Sequence, residues 1–193
     1  WPKPARAVRT PTILEQRGRL VVGVYPGEGG IQAASLVGSA GFDSEVVNAY
    51  EAGYRWRATD RLSFDLAVFH NVYDELYSIT PVPGPAGYDF LFGNEMTGDS
   101  DGVELAVDWK AASWLSLILT YSWLEQHLEV EDPAALGVMA ELLAGTSPAH
   151  QASLRSAITL APDWQLNLWL RYVDQITCLD STNLVGGVIP IDS

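Results

Sequence analysis

Residues 102–110 read Gly-Val-Glu-Leu-Ala-Val-Asp-Trp-Lys, and the stretch alternates with a period of two. Val103, Leu105, Val107 and Trp109 fall on one side, while Gly102, Glu104, Ala106, Asp108 and Lys110 fall on the other. A β-strand turns successive side chains to opposite faces, so this segment is a strand with one apolar and one charged surface.

The same pattern recurs on both sides of it. Over 45–57, Val46, Tyr50, Ala52, Tyr54 and Trp56 oppose Glu45, Glu51, Gly53, Arg55 and Arg57. Over 61–71, Leu62, Phe64, Leu66 and Val68 oppose Arg61, Ser63, Asp65 and Asn71. Leu115, Leu117, Leu119, Tyr121 and Trp123 oppose Ser116, Thr120, Ser122 and Gln126. Two further segments follow, from His150 and from Trp164; there Arg155 and Arg171 lie on the polar side. The exceptions are Asn48 and Ser156 on the apolar side and Phe69, Ile118 and Trp169 on the polar one. A partial strand is expected over residues 1–8, which brings the number to about seven.

Each long segment has about ten residues or more, beyond the five or six of an ordinary strand and close to the roughly 9–11 that cross a bilayer at a tilt. Residues 58–60, 111–113 and 162–163 form tight turns at one end. Residues 72–95, 128–147 and everything after 177 form long connections at the other. That asymmetry belongs to outer-membrane barrels. Trp56, Trp109, Trp114 and Trp164 lie beside the short turns, and Tyr50, Trp123 and Tyr172 towards the long connections, all on the apolar side. Trp114 and Trp123 are nine steps apart, about 30 Å along a strand and roughly 23 Å of height after tilting, close to the ~25 Å apolar band of such barrels. The fold expected is therefore all-β, an antiparallel transmembrane β-barrel segment with an open curved sheet of about seven long strands. Its outer strands are expected to be those at residues 1–8 and 164–177.

The long connections have patterns of their own. Residues 76–80 and 88–92 flank PVPGPAG as a hairpin, and residues 19–24 and 31–37 suggest another around Pro26-Gly27-Glu28-Gly29-Gly30. Asp132-Pro133, then an apolar run ending at Gly145, predicts a short helix with Asp132 as its N-cap.

Composition supports the membrane reading and excludes other classes. The chain has 193 residues, 11 Lys and Arg against 24 Asp and Glu, and a net charge of −13. It has no basic face to neutralise phosphates, which argues against nucleic acid as a partner. Apolar residues make up 48%, too many for a disordered chain. The single Cys178 excludes an intrachain disulfide framework and reads as an ordinary loop thiol. The first residue is Trp1, as expected of a processed chain or a fragment; the opening residues lack the apolar core of a signal peptide, and residues 111–124 are too short and polar for a spanning helix.

The order of several motifs resembles TonB-dependent outer-membrane receptors. Arg6-Ala-Val-Arg-Thr-Pro11 is similar to that family's SRA-x-R-x-P segment, although Ala5 stands where Ser is usual. Gly38-Ser-Ala-Gly-Phe-Asp-Ser-Glu45 is similar to its GNPxLxPE or GNxxFxSE stretch, with Ser39-Ala40 in place of the Asn-Pro of the former. Tyr50-Glu-Ala-Gly-Tyr-Arg55, then Ala67-Val-Phe69 with residues 73–76, then Asn94 with Gly102-Val-Glu-Leu105, follow in the family's order. Tyr121-Ser122 and Ser147-Pro148-Ala149-His150-Gln151 complete the series.

The resemblance implies the C-terminal part of a 22-stranded β-barrel domain over residues 1–193, with the plug domain and the TonB-contacting segment outside it. It implies an outer-membrane receptor of a Gram-negative bacterium that imports a scarce nutrient, most often a ferric siderophore, with TonB-derived energy. Implied partners are the TonB complex through the plug, outer-membrane lipid and lipopolysaccharide, and an iron-chelate cargo. A passive porin or structural barrel is the alternative, and a soluble carbohydrate-binding β-sandwich the third reading.

No catalytic constellation, cofactor motif or metal-ligand spacing stands out in the sequence. Glu51, Arg55, Arg57, Glu104, Asp108, Lys110, Arg155 and Arg171 are expected to face the lumen. Arg9, Arg17 and Arg19 cluster in the first long connection and would hold an anionic chelate through charge-assisted hydrogen bonds. Tyr73 and Tyr77 offer an aromatic face nearby. No Lys or Arg occurs between Arg61 and Lys110, whereas Asp74, Glu75, Asp89, Glu95, Asp99 and Asp101 do. This acidic stretch reads as a solvated surface, with divalent-cation bridging to lipopolysaccharide or a calcium site as the functional alternatives. His127 and His150 flank one long connection and read as rim histidines.

Overall fold

The computed structural model describes residues 2–27, 29–131 and 146–176. Nine strands and one short helix follow the order β1 (Pro2–Arg9), α1 (Ile13–Arg17), β2 (Arg19–Gly27), β3 (Gly30–Val37), β4 (Glu45–Thr59), β5 (Leu62–Gly84), β6 (Gly87–Ala112), β7 (Leu115–Val130), β8 (His150–Ala161) and β9 (Trp164–Val173). The expected helix over 132–145, Trp1 and Cys178 lie outside the described residues.

Seven strands form one antiparallel path, β1-β4-β5-β6-β7-β8-β9, with β1 and β9 at its two ends. No pairing joins β1 to β9 among the described residues, so the sheet is open, as the sequence led us to expect. The seven long strands stand as expected, and two more join them, in the hairpin suggested over 19–24 and 31–37. The two extra strands are the β2–β3 hairpin, which leaves the main path and docks on it through a parallel pairing of β3 with β6.

The hairpin expected within residues 72–95 is present, but the segment is not a loop. These residues are the upper halves of β5 and β6, paired without interruption of the sheet up to Gly84 opposite Gly87. Register shifts between Tyr73, Leu76 and Ser78, with Glu75 at φ 54°, break the alternation there, and so the sequence pattern stops while the strands continue. Pro81 and Pro83 lie beyond Asp74, the last residue of β5 that pairs with β4. On that free edge their missing N–H groups remove no ladder bond.

The ladder keeps the two kinds of side chain apart. Residues directly opposite in an antiparallel pair share a face. One row runs Arg55, Asp65, Ala106, Thr120, Ser153, Arg171. A second runs Trp56, Phe64, Val107, Leu119, Leu154, Leu170 on the opposite face. Among the described residues neither face has a second layer over it. Among the described residues the buried apolar side chains are Ala34, Phe42 and Met96, all at the end of the sheet where the hairpin and the long connections gather. Large apolar side chains elsewhere stay open, including Trp56, Trp109, Leu168 and Leu170. Such a surface is far beyond the patches a soluble monomer exposes, and it fits lipid as the missing layer.

α1 was not foreseen. Thr12 caps it, its hydroxyl accepting from the Glu15 amide while the Glu15 carboxylate accepts from the Thr12 amide. The helix is tied to the hairpin by Gly38 N–H to Gly18 O (2.8 Å) and Ser39 N–H to Glu15 O (2.8 Å). Asn94 then clamps the segment after β3: its oxygen accepts from the Asp43 amide (2.7 Å), and its amide donates to Glu75 O (2.7 Å). Phe42 meets Phe92 edge to face with centroids 6.1 Å apart.

Candidate functional site

The register places seven of the eight residues expected in the lumen on a single face; the eighth, Lys110, falls at the register shift near the end of β6. Glu51 lies opposite Phe69 and Arg55 opposite Asp65. Arg57, Ser63, Asp108, Ile118, Arg155 and Trp169 follow one another across the sheet, and Glu104 pairs with Ser122, next to Gln151. Arg171 lies opposite Ser153.

These groups contact one another rather than standing as isolated charges. Arg55 donates from Nε to Asp65 Oδ2 at 2.8 Å, with a further bond from the guanidinium Nη2. Thr120 and Ser153 hydroxyls are 2.7 Å apart, and Arg171 donates to Gln151 at 3.4 Å. The Arg155 guanidinium lies 4.6 Å from the Trp169 ring centroid, so the apolar exception in this row serves as a cation–π partner. A hollow of about 680 Å³ opens here, lined by Asp65, Glu104, Thr120, Gln151, Arg155 and Arg171 among others.

The opposite face carries the aromatics. Trp56, Trp109, Trp123, Trp164 and Tyr172 lie on it by parity. Trp114 sits in the turn between β6 and β7, where the ladder assigns it no face. Trp56 stacks on Phe64 with centroids 5.5 Å apart.

The cargo residues expected in the long connections do not form one open cluster. Arg9 is held by Glu45 and by Glu15, the latter at 2.9 Å. Arg19 forms a bidentate pair with Asp89, at 2.7 and 3.0 Å, between the hairpin and β6. Arg17 is exposed and has no ion pair among the described residues. Tyr73 lies 3.2 Å from the Ser100 hydroxyl, and the Tyr77 amide donates to Glu45 at 2.8 Å. The hydrogen bond from Arg9 to Glu45, stronger than the desolvation that opposes it, raises the guanidinium further above its already high range. Burial alone would push the Glu15 carboxyl up, but hydrogen bonds from Thr12 and Arg9 outweigh it and hold the group below its ordinary value. Burial raises the Tyr77 phenol, and the nearby Glu45 charge adds to that.

The rim histidines part company. His150 Nδ1 bonds the Tyr121 hydroxyl at 2.9 Å, while His127 lies 3.8 Å from Asp99 and 3.7 Å from Glu125. Asp99 and Asp101, expected in or near a loop, are strand residues of β6 on the apolar face. Near them stands His70, a residue the sequence reading did not single out, since its partners come from other strands.

The family described as TonB dependent receptor-like, beta-barrel matches residues 5–188. No curated protein matches this sequence significantly. Among solved structures, the chain is similar to the ferric enterobactin receptor of Pseudomonas aeruginosa, with TM-score 0.63 and 15% identity over 90% of this chain and 25% of that one. It is similar to the siderophore receptor PirA of Acinetobacter baumannii, with TM-score 0.62 and 13% identity over 98% of this chain and 28% of that one. The copper transporter OprC follows with TM-score 0.59 and 14% identity, over 89% of this chain and 23% of that one. The chain thus spans about a quarter of the length of the receptors it matches. At these identities the structures attest the fold, and the family match attests the membership. With its open sheet, its two segregated faces and a match over nearly its whole length, the chain belongs to the TonB-dependent receptors and forms part of their β-barrel in the Gram-negative outer membrane.

Proposed function

We propose that this chain is the wall and part of the extracellular crown of a receptor that imports a ferric siderophore with TonB-derived energy. The observation that carries this reading is the division of labour along each strand. Tight turns close one end, while the other end rises into β5, β6 and the docked hairpin. Such a crown is where cargo lands. In this reading Glu51, Arg55, Arg57, Glu104, Asp108, Arg155 and Arg171 line the lumen and meet a plug supplied by the rest of the receptor, through which the TonB complex acts.

Arg9, Arg17, Arg19, Tyr73 and Tyr77 are the proposed cargo contacts. Arg17, with no carboxylate partner among the described residues, meets an anionic chelate first. Arg9 and Arg19 contribute by exchanging Glu45 and Asp89 for cargo oxygens. The names of the similar ferric enterobactin and siderophore receptors support this cargo class. The acidic stretch over 74–101 favours a second cargo class, a cation or a neutral chelate, and the name of the copper transporter points the same way.

The test is uptake of an iron-labelled anionic siderophore by cells carrying the full-length receptor. Uptake should stop when the proton gradient is collapsed, and replacing Arg9, Arg17 and Arg19 by Ala should weaken surface binding and reduce its salt sensitivity. Uptake that persists without the gradient would identify a passive porin. Unchanged binding across salt concentrations, with the barrel assembled, would dismiss the arginines.

A further inference from the structure

On the apolar face, just above the aromatic belt, five polar side chains from three strands meet. His70 Nδ1 lies 2.9 Å from Asp101 Oδ1. His70, Asp99 and Asp101 each offer one ligand atom, all within 4.8 Å of one another. His127 stands 3.8 Å from Asp99 and 3.7 Å from Glu125. The register explains the convergence. Val68, Val103 and Trp123 form one row; Tyr50, His70, Asp101 and Glu125 form the next, and Asn48, Val72, Asp99 and His127 the one after. At ~3.3 Å per residue and a tilt of ~40°, those two rows stand about 5 and 10 Å beyond Trp123, at the height of the polar headgroups.

We infer that His70, Asp99 and Asp101, with Glu125 and His127 beside them, bind a divalent cation of the zinc class on the outward surface of the barrel. This goes beyond the transport reading and does not rest on it. Three carboxylates and two imidazoles share this patch, and among the described residues no Lys or Arg forms an ion pair with any of them. A cation is the missing counter-charge. An imidazole with carboxylates is a donor set for a borderline metal, whereas calcium and magnesium take oxygen alone. The spacing is close to what such a site needs: ligands bound at ~2.0 Å around a tetrahedral ion stand about 3.3 Å apart. The metal would take the place of the hydrogen bond between His70 Nδ1 and Asp101 Oδ1. Tyr50 stacks on the His70 ring with centroids 6.3 Å apart and holds its plane.

The experiment uses the full-length receptor, purified in detergent and stripped with chelator, with Zn²⁺ titrated by calorimetry and Co²⁺ by its visible spectrum. Wild-type protein should bind Zn²⁺, and His70→Ala and Asp101→Asn should each lose tenfold or more in affinity together with the Co²⁺ bands. His150→Ala, which removes a histidine outside the cluster, should change neither. Assembly of every variant is checked by its heat-modifiable migration, and Asp101→Asn, close to isosteric, guards against a folding artefact. Absent binding, equal affinity in His70→Ala, or equal displacement by Mg²⁺ would overturn the proposal.

Discussion

The Phe69 ring lies across Gly102 on the neighbouring strand, so closely that a Cβ on Gly102 would come within 2.1 Å of the ring's Cζ. Phe69 is an apolar exception on a polar face, and Gly102 is the vacancy that receives it. Gly102→Val should therefore expel the ring and cost about 1–3 kcal/mol through overpacking. Phe69→Ala on top of Gly102→Val should restore part of the loss. Thermal unfolding of the assembled full-length barrel measures both, and additive losses would contradict the contact.

The two faces should respond differently to charge. Leu117 and Val107 point to the apolar side, opposite Trp109 and Leu119 respectively. Leu117→Arg or Val107→Arg should cost roughly 2–4 kcal/mol near the membrane midplane. Ser116→Arg and Ala106→Arg, on the polar side, should be milder. Assembly yield in outer-membrane fractions reports the difference, and equal effects would argue against lipid on one side.

Acid should loosen α1 before it touches the wall. The Glu15 carboxyl is held below its ordinary value, so its contribution is complete above the unfolded-state value and is lost as pH falls through the lowered folded one. Amide hydrogen exchange at Gln16 and Gly18, whose N–H groups bond Thr12 and Leu14 carbonyls, should accelerate on acidification earlier than exchange in β5. Thr12→Ala should reproduce this at neutral pH, at a local cost of about 1 kcal/mol.

Gly87 is confined twice over. Its φ is 143°, and a Cβ there would lie 2.4 Å from Ala33 O. Gly87→Ala should detach the β2–β3 hairpin while the wall stays assembled. Limited proteolysis of intact cells should then cut within the hairpin, and resistance equal to wild type would count against the docking.

How far the sequence was legible depended on whether the signal was local. β4 and β7 could be read from alternation because each strand carries its own two faces. The upper part of β5 could not, since Glu75 and the register shifts around it interrupt the period. α1 had a visible signature in Thr12 and Glu15, hidden by its short length. The parallel contact of Ala33 with Gly87, and the meeting of His70 with Asp99 and Asp101, depend on strand register. No spacing along one strand announces them. The arginines at 9, 17 and 19 were legible as a cluster, but not the carboxylates that engage two of them.

The β3–β6 contact also sets an order of assembly. β2 and β3 are joined by a short turn and can pair as soon as both exist. β3 and β6 are separated in the chain by β4 and β5, so their pairing closes a long loop. Closing so long a loop for a parallel pairing is entropically slow. The hairpin therefore forms early and docks late, and until it arrives the β6 edge from Gly87 to Leu91 stands open. The pairing within the hairpin and the seating of the hairpin on the wall are thus two separate events, one local in the chain and one long-range.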